Sequence, residues 1–79
     1  MEKSVLIKSS LDARQAAEFV QAVSKFDSEV QIAIEEKKIN AKSIMGMIAL
    51  NMQGGQTATI ITTGADEEMA AIEVEKLLV

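Results

Sequence analysis

The stretch "EVQIAIE" at 29–35 alternates without a slip, so Val30, Ile32 and Ile34 share one face of an extended strand. A strand that is apolar on one side belongs to a sheet with one covered face, and something amphipathic has to be laid over it. The chain supplies the cover on both sides of this strand. Ala16, Phe19, Val20 and Val23 fall at i, i+3, i+4 and i+7, the buried stripe of a helix. Ala71, Val74 and Leu78 give a second helix near the end its inner stripe.

Other strands follow from length and residue type. "KSVLIKS" at 3–9 is an apolar core in polar flanks, too short for a helix. "TATIITT" at 57–63 is rich in β-branched residues and is ended by Gly64. "EKK" at 36–38 predicts a charged hairpin connection into a short strand around Ile39. "IMGMIALNM" at 44–52 is a short apolar segment that starts after Ser43 and is broken by "QGGQ" at 53–56. The order is β-α-β-β-α-β-α, which predicts an α+β two-layer open-faced sandwich in a single domain spanning 1–79.

Composition narrows the chemistry. The 79 residues contain no histidine and no cysteine, which removes imidazole catalysis, phosphohistidine, disulfides and thiolate or histidine metal sites. A formal charge of −4 and only two aromatic residues, Phe19 and Phe26, argue against phosphate-led or stacking-led binding of nucleic acid. There is no bilayer-length apolar run and no signal-peptide pattern. A cytoplasmic protein with no metal, no cofactor and no direct contact with membrane or nucleic acid is expected.

Two helix starts carry the remaining information. Asp12 precedes the first helix and Gln15 stands three positions on, the spacing of a capping box worth ~1 kcal/mol. Leu11 is placed to lean on Ala16 as a weak hydrophobic staple. A catalytic carboxylate would need a second acid, a base or a metal beside it, and the sequence offers none. Asp66 is expected to cap the last helix, with Glu67 and Glu68 in its first turn. Ser43 is expected to cap the second helix, where only Asn51 is clearly polar between Ile44 and Met52. So short a helix cannot bury its whole circumference. Some of Ile44, Met45, Met47 and Ile48 should face water as a docking patch, to which methionine is well suited.

These segments together resemble the HPr family, the small phosphocarrier proteins of the bacterial phosphotransferase system. "KSIMG" at 42–46 is similar to the family's regulatory serine motif. "LDARQAA" at 11–17 is similar to its active-site segment, normally a histidine followed by Ala-Arg-Pro-Ala. "GADE" at 64–67 matches the turn into the last helix. The resemblance implies an antiparallel four-stranded sheet of order 1-4-2-3 with three helices on one face. It also implies that Asp12 stands at the phosphocarrier histidine and Gln15 at the proline, with Arg14 as the active-site arginine turned into a partner-facing cation. The chain looks most like the histidine-less, catabolite-repression members (Crh).

By that resemblance the chain is not an enzyme. Ser43 is expected to be phosphorylated by HPr kinase/phosphorylase, with Lys42 as a neighbouring cation. Ile44, Met45 and Ile48, with Arg14 and Lys42, are expected to meet a catabolite control regulator of the LacI type. Two alternatives stand beside this: a working phosphocarrier of the phosphoenolpyruvate-dependent sugar system, and a protein-binding domain that is never modified.

Overall fold

Ile32 and Ile60 lie opposite each other in the middle of the sheet with no exposed surface, and the covered face is built outward from that pair. The computed structural model describes residues 1–8 and 10–79. Its elements are β1 (Glu2–Leu6), α1 (Ala13–Ser24), β2 (Glu29–Ile34), β3 (Lys37–Asn40), α2 (Ile44–Leu50), β4 (Thr57–Thr63) and α3 (Glu67–Leu78). The four strands are antiparallel in the order β1-β4-β2-β3. Val5, Val30, Ile32, Ile34, Ala58 and Ile60 face the helices, and α1, α2 and α3 answer with Phe19, Val20, Val23, Met47, Leu50, Ala70, Val74 and Leu78 in one core. Each large apolar side chain buried this way contributes about 1.5–3 kcal/mol before ordering costs.

Element boundaries differ from the predicted ones in three places, each for a local reason. β1 ends at Leu6 because its partner β4 begins at Thr57, directly opposite. Ile7 and Lys8 then turn to other acceptors: Ile7 N–H donates to the Gln56 carbonyl at 2.9 Å and Lys8 N–H to that of Leu78 at 3.1 Å. Ser9, the last residue of the predicted strand, lies outside the described residues.

The hairpin reverses at Glu35 and Glu36 rather than at 36–38, and Lys37 and Lys38 join β3. Ile39 has to stand opposite Ile32 on the covered face, which pairs Ile34 with Lys37 and leaves two residues for the turn. Glu35 consequently takes a left-handed φ of 56°, at a cost of about 1 kcal/mol for a side-chain-bearing residue. In the apolar segment 44–52 the helix stops at Leu50. Asn51 turns left-handed (φ 52°, ψ 57°) as the C-cap, and Met52 is buried beyond it.

The largest departure is at Asp66. It occupies the N-cap position of α3, but its carboxylate makes no cap there. It reaches instead to the loop between α1 and β2, accepting from the backbone N–H of Asp27 at 3.0 Å, from that of Ser28 at 2.9 Å, and from the Ser28 hydroxyl. Sequence spacing cannot reveal this clasp, because its halves are 38 residues apart. These donors, the Ser28 hydroxyl first and the Asp27 N–H next, hold the Asp66 carboxyl below its ordinary range.

The sign of the consequence is fixed. A carboxyl whose pKa is lower folded than unfolded stabilises the fold above the ordinary carboxylate range and loses that contribution as pH falls through its folded value. Unfolding free energies of wild type and Asp66→Ala should therefore be furthest apart near neutral pH and converge below pH ~4. Urea titrations at several pH values check this; a gap of constant size would show that the charge is irrelevant. Glu67 shifts in the same direction, drawn down by the Gly64 N–H and then by the amino terminus.

Candidate functional site

Asp12 and Gln15 close a reciprocal ring at the start of α1. The Gln15 N–H donates to Asp12 Oδ1 at 2.8 Å, and the Asp12 N–H donates to Gln15 Oε1 at 3.2 Å. Asp12 itself is extended (φ −83°, ψ 179°) and its carbonyl accepts the Ala16 N–H at 2.8 Å. The capping box expected from the spacing is present, and the carboxylate is engaged within it. Arg14 points into solvent with 90% of its side chain exposed; Glu18 is its partner at 3.7 Å, a surface pair of little energetic weight.

Ser43 opens α2 from an extended conformation (φ −103°, ψ 118°), and its hydroxyl oxygen accepts the Gly46 N–H at 3.1 Å. Its own N–H donates to the Asn40 carbonyl at 3.0 Å and its carbonyl accepts the Met47 N–H, so the backbone at this residue is fixed on both sides. The side chain is half-buried. Beyond it the helix divides: Ile44, Met45 and Ile48 are exposed, whereas Met47 and Leu50 enter the core. The seven-residue length explains the split, since two turns can offer only one face to the sheet.

Two residues around Ser43 differ from expectation. Lys42 does not offer its charge to the serine: its ammonium donates to the Phe26 carbonyl at 2.6 Å, across the gap to the end of α1. Its backbone N–H is taken by Asn40 Oδ1 at 2.8 Å. Gly46 was not singled out by sequence and belongs to the site. A Cβ there would come within 3.3 Å of the Ser43 hydroxyl oxygen, so the missing side chain keeps that oxygen unobstructed. The available signal was a glycine inside a short apolar helix, a placement costing about 1 kcal/mol relative to alanine. Gly46→Ala should thus leave the fold stable within about 1 kcal/mol while crowding the hydroxyl; thermal unfolding checks the first half.

The two helix starts sit at opposite ends of α2. Ser43 begins that helix, while the segment leading into α1 is tied just past its C-terminus. The Leu11 N–H donates to the Met52 carbonyl at 3.4 Å, the Ser10 hydroxyl donates to Gln53 Oε1 at 3.1 Å, and the Gly54 N–H donates to the Ser10 oxygen at 3.2 Å. With a rise of 1.5 Å per residue, the helix holds the sites ~10 Å apart along its axis. Among the described residues no group of three or more acidic residues is arranged to hold a metal ion, and no helix is long and apolar enough to cross a membrane.

Four antiparallel strands in the order 1-4-2-3, with three helices on one face, define the HPr-like class of open-faced sandwiches. The chain belongs to the HPr family: residues 2–79 match the family model described as "PTS HPr component phosphorylation site". It is similar to the HPr-like protein Crh of Halalkalibacterium halodurans, 50% identical over 66 residues that make up 84% of this chain and 79% of that protein. It is also similar to the HPr-like protein Crh of Bacillus subtilis, 45% identical over 92% of this chain and 82% of that one. Among solved structures, the phosphocarrier protein HPr of Bacillus anthracis superposes with a TM-score of 0.95 at 36% identity, covering all of this chain (100%) and 96% of the other. The resemblance read from the residues, and the sheet order it implied, both hold. This is a phosphocarrier-family protein of the HPr-like kind.

Proposed function

We propose that this chain is a regulatory member of the family. In this reading Asp12 replaces the phosphocarrier histidine, and phosphorylation of Ser43 by HPr kinase/phosphorylase is the switch. The observation that carries it is the contrast between the two helix starts. The chain has no imidazole at all, and the Asp12 carboxylate is engaged by the helix it caps. Ser43 keeps a hydroxyl beside an exposed apolar patch.

The step itself is a simple displacement. The Ser43 oxygen forms a bond to the γ-phosphorus of ATP, ADP leaves with the broken bond's electron pair, and the hydroxyl proton passes to a base on the kinase. The product carries about −1.5 to −2 charge at the start of α2, where the first-turn N–H groups have no intrahelical acceptor. It stands beside Ile44, Met45 and Ile48, so a partner can read a charge and an apolar anchor together. A regulator of the LacI type acting in carbon catabolite control is that partner by family resemblance, with Arg14 as a further contact. Lys42, tied to Phe26, contributes through the loop it braces.

Incubation with HPr kinase/phosphorylase and ATP should add one phosphate per chain by intact mass. Ser43→Ala should stay unmodified and Asp12→Ala should be modified like wild type. A wild-type chain left unmodified by a kinase that phosphorylates a control HPr would overturn the proposal.

A further inference from the structure

The five methionines are the chain's readily oxidised side chains, because cysteine, histidine, tryptophan and tyrosine are all absent. The fold sorts them sharply. Met47 and Met52 are in the core with 3% and 1% of their surface exposed, whereas Met45 is 76%, Met69 65% and Met1 47% exposed. Met45 is thus the most exposed of the large apolar side chains in this structure. It also stands two residues from Ser43, between Ile44 and Ile48 in the patch.

We propose that Met45 is an oxidation site that disables the α2 patch while leaving the fold intact. The inference rests on the reading of that patch as the surface a partner uses. A peroxide transfers one oxygen atom to the Met45 sulfur. The O–O bond breaks, an S=O bond forms, the sulfur loses two electrons, and hydrogen peroxide is reduced to water. The sulfoxide converts an adaptable apolar side chain into a strongly polar one. Docked against an apolar surface, the new oxygen has no partner and opposes burial. The core survives because Met47 and Met52 are shielded from the oxidant. A sulfoxide reductase, drawing on a thiol reductant, returns the thioether and releases water, so the change is reversible.

The experiment has two arms on the full chain. In the first, folded protein is treated with hydrogen peroxide, quenched at intervals and mapped by mass spectrometry. Met45 should gain oxygen at least about ten times faster than Met47 and Met52, with the urea midpoint of the oxidised protein unchanged. Equal rates at Met45 and the two buried methionines, or a lowered midpoint, would overturn the proposal.

In the second arm HPr kinase/phosphorylase reads the patch in a Met69→Leu background. Met45 sulfoxide and Met45→Gln should each lower phosphorylation efficiency on the order of ten-fold. Met45→Leu, in which Met1 is still open to the oxidant, serves as the reference: whatever efficiency it has before peroxide treatment it should keep afterwards. Efficient phosphorylation of the sulfoxide overturns the oxidation proposal alone. No phosphorylation of the untreated chain overturns the Ser43 reading instead, so the two failures are distinguishable.

Discussion

Gly64→Ala is expected to cost about 4 kcal/mol of folding stability, the sum of ~1–3 kcal/mol for a glycine-only backbone conformation and ~1–3 kcal/mol for overpacking. Gly64 has a φ of +148°, a region L side chains rarely enter, and its missing side chain is where Ser28 passes. A Cβ there would lie 2.6 Å from the Ser28 hydroxyl oxygen and 2.7 Å from its Cα. Neither can move freely, because the Ser28 N–H and hydroxyl are both held by Asp66. A domain of this size commands a total of about 4–12 kcal/mol at 0.05–0.15 kcal/mol per residue. The variant should therefore lose a third or more of its stability, read as a lower urea midpoint at unchanged slope. Ser28→Gly should not rescue it, since the backbone Cα still blocks the site. A variant within 1 kcal/mol of wild type would show that the loop yields and that the clasp is soft.

That loop marks the limit of what the residues disclose. The covered face was legible because Val30, Ile32 and Ile34 obey a period of two and the α1 stripe a period of 3.6, and burial enforces both periods. The Asp12 cap was legible for the same reason: its partner is three residues away, and the geometry of a helix start leaves few choices. Asp66 looked like an equal case and was not. Its carboxylate found three donors on a distant loop, and a side chain with one oxygen pair spends it where the donors converge. Lys42 is similar: its sequence neighbour is Ser43, but a four-carbon stem reaches a carbonyl 16 positions earlier in the chain. Among the apolar residues of α2, composition could say that some must be exposed. Only the direction of the helix over the sheet decides that Met47 is covered while Ile44, Met45 and Ile48 are not.

The same contrast bears on the site. Local chemistry at each helix start could be read directly, whereas the relation between the starts could not. Anchoring the α1 entry to Met52, Gln53 and Gly54 fixes it to the far end of α2 from Ser43. A partner wide enough to touch both ends of that short helix meets Asp12, the patch and Ser43 in succession. An anion at position 12 and a phosphoserine at 43 would then bracket the apolar residues with negative charge. That arrangement favours a partner with basic groups at both ends and disfavours one that presents a carboxylate to position 12.

Asp12→His is expected to take up to one phosphoryl group per chain from phosphoenolpyruvate and enzyme I, where the wild type is expected to take none. The carboxylate now at this position is a poor acceptor for a specific reason. Its Oδ1 receives the Gln15 N–H at 2.8 Å, which draws electron density from the carboxylate, and attack on phosphorus through either oxygen would form a high-energy acyl phosphate. An imidazole offers a ring nitrogen that is nucleophilic at neutral pH and can remain cationic once phosphorylated, beside an Arg14 that is loosely tied and free to approach the phosphoryl oxygens. Losing the carboxylate cap costs about 1 kcal/mol, little enough for the fold to persist. Asp12→Ala shares that cost without gaining a nucleophile, so it should stay unloaded and separates the two effects. Acid-labile phosphate on Asp12→His alone would establish that one side chain stands between this surface and phosphoryl transfer. Hydroxylamine-sensitive phosphate on the wild type would instead make Asp12 a carrier in its own right. An inert Asp12→His would place the loss in the wider contact surface, with Gln15, the other half of the capping box, as the next position to exchange.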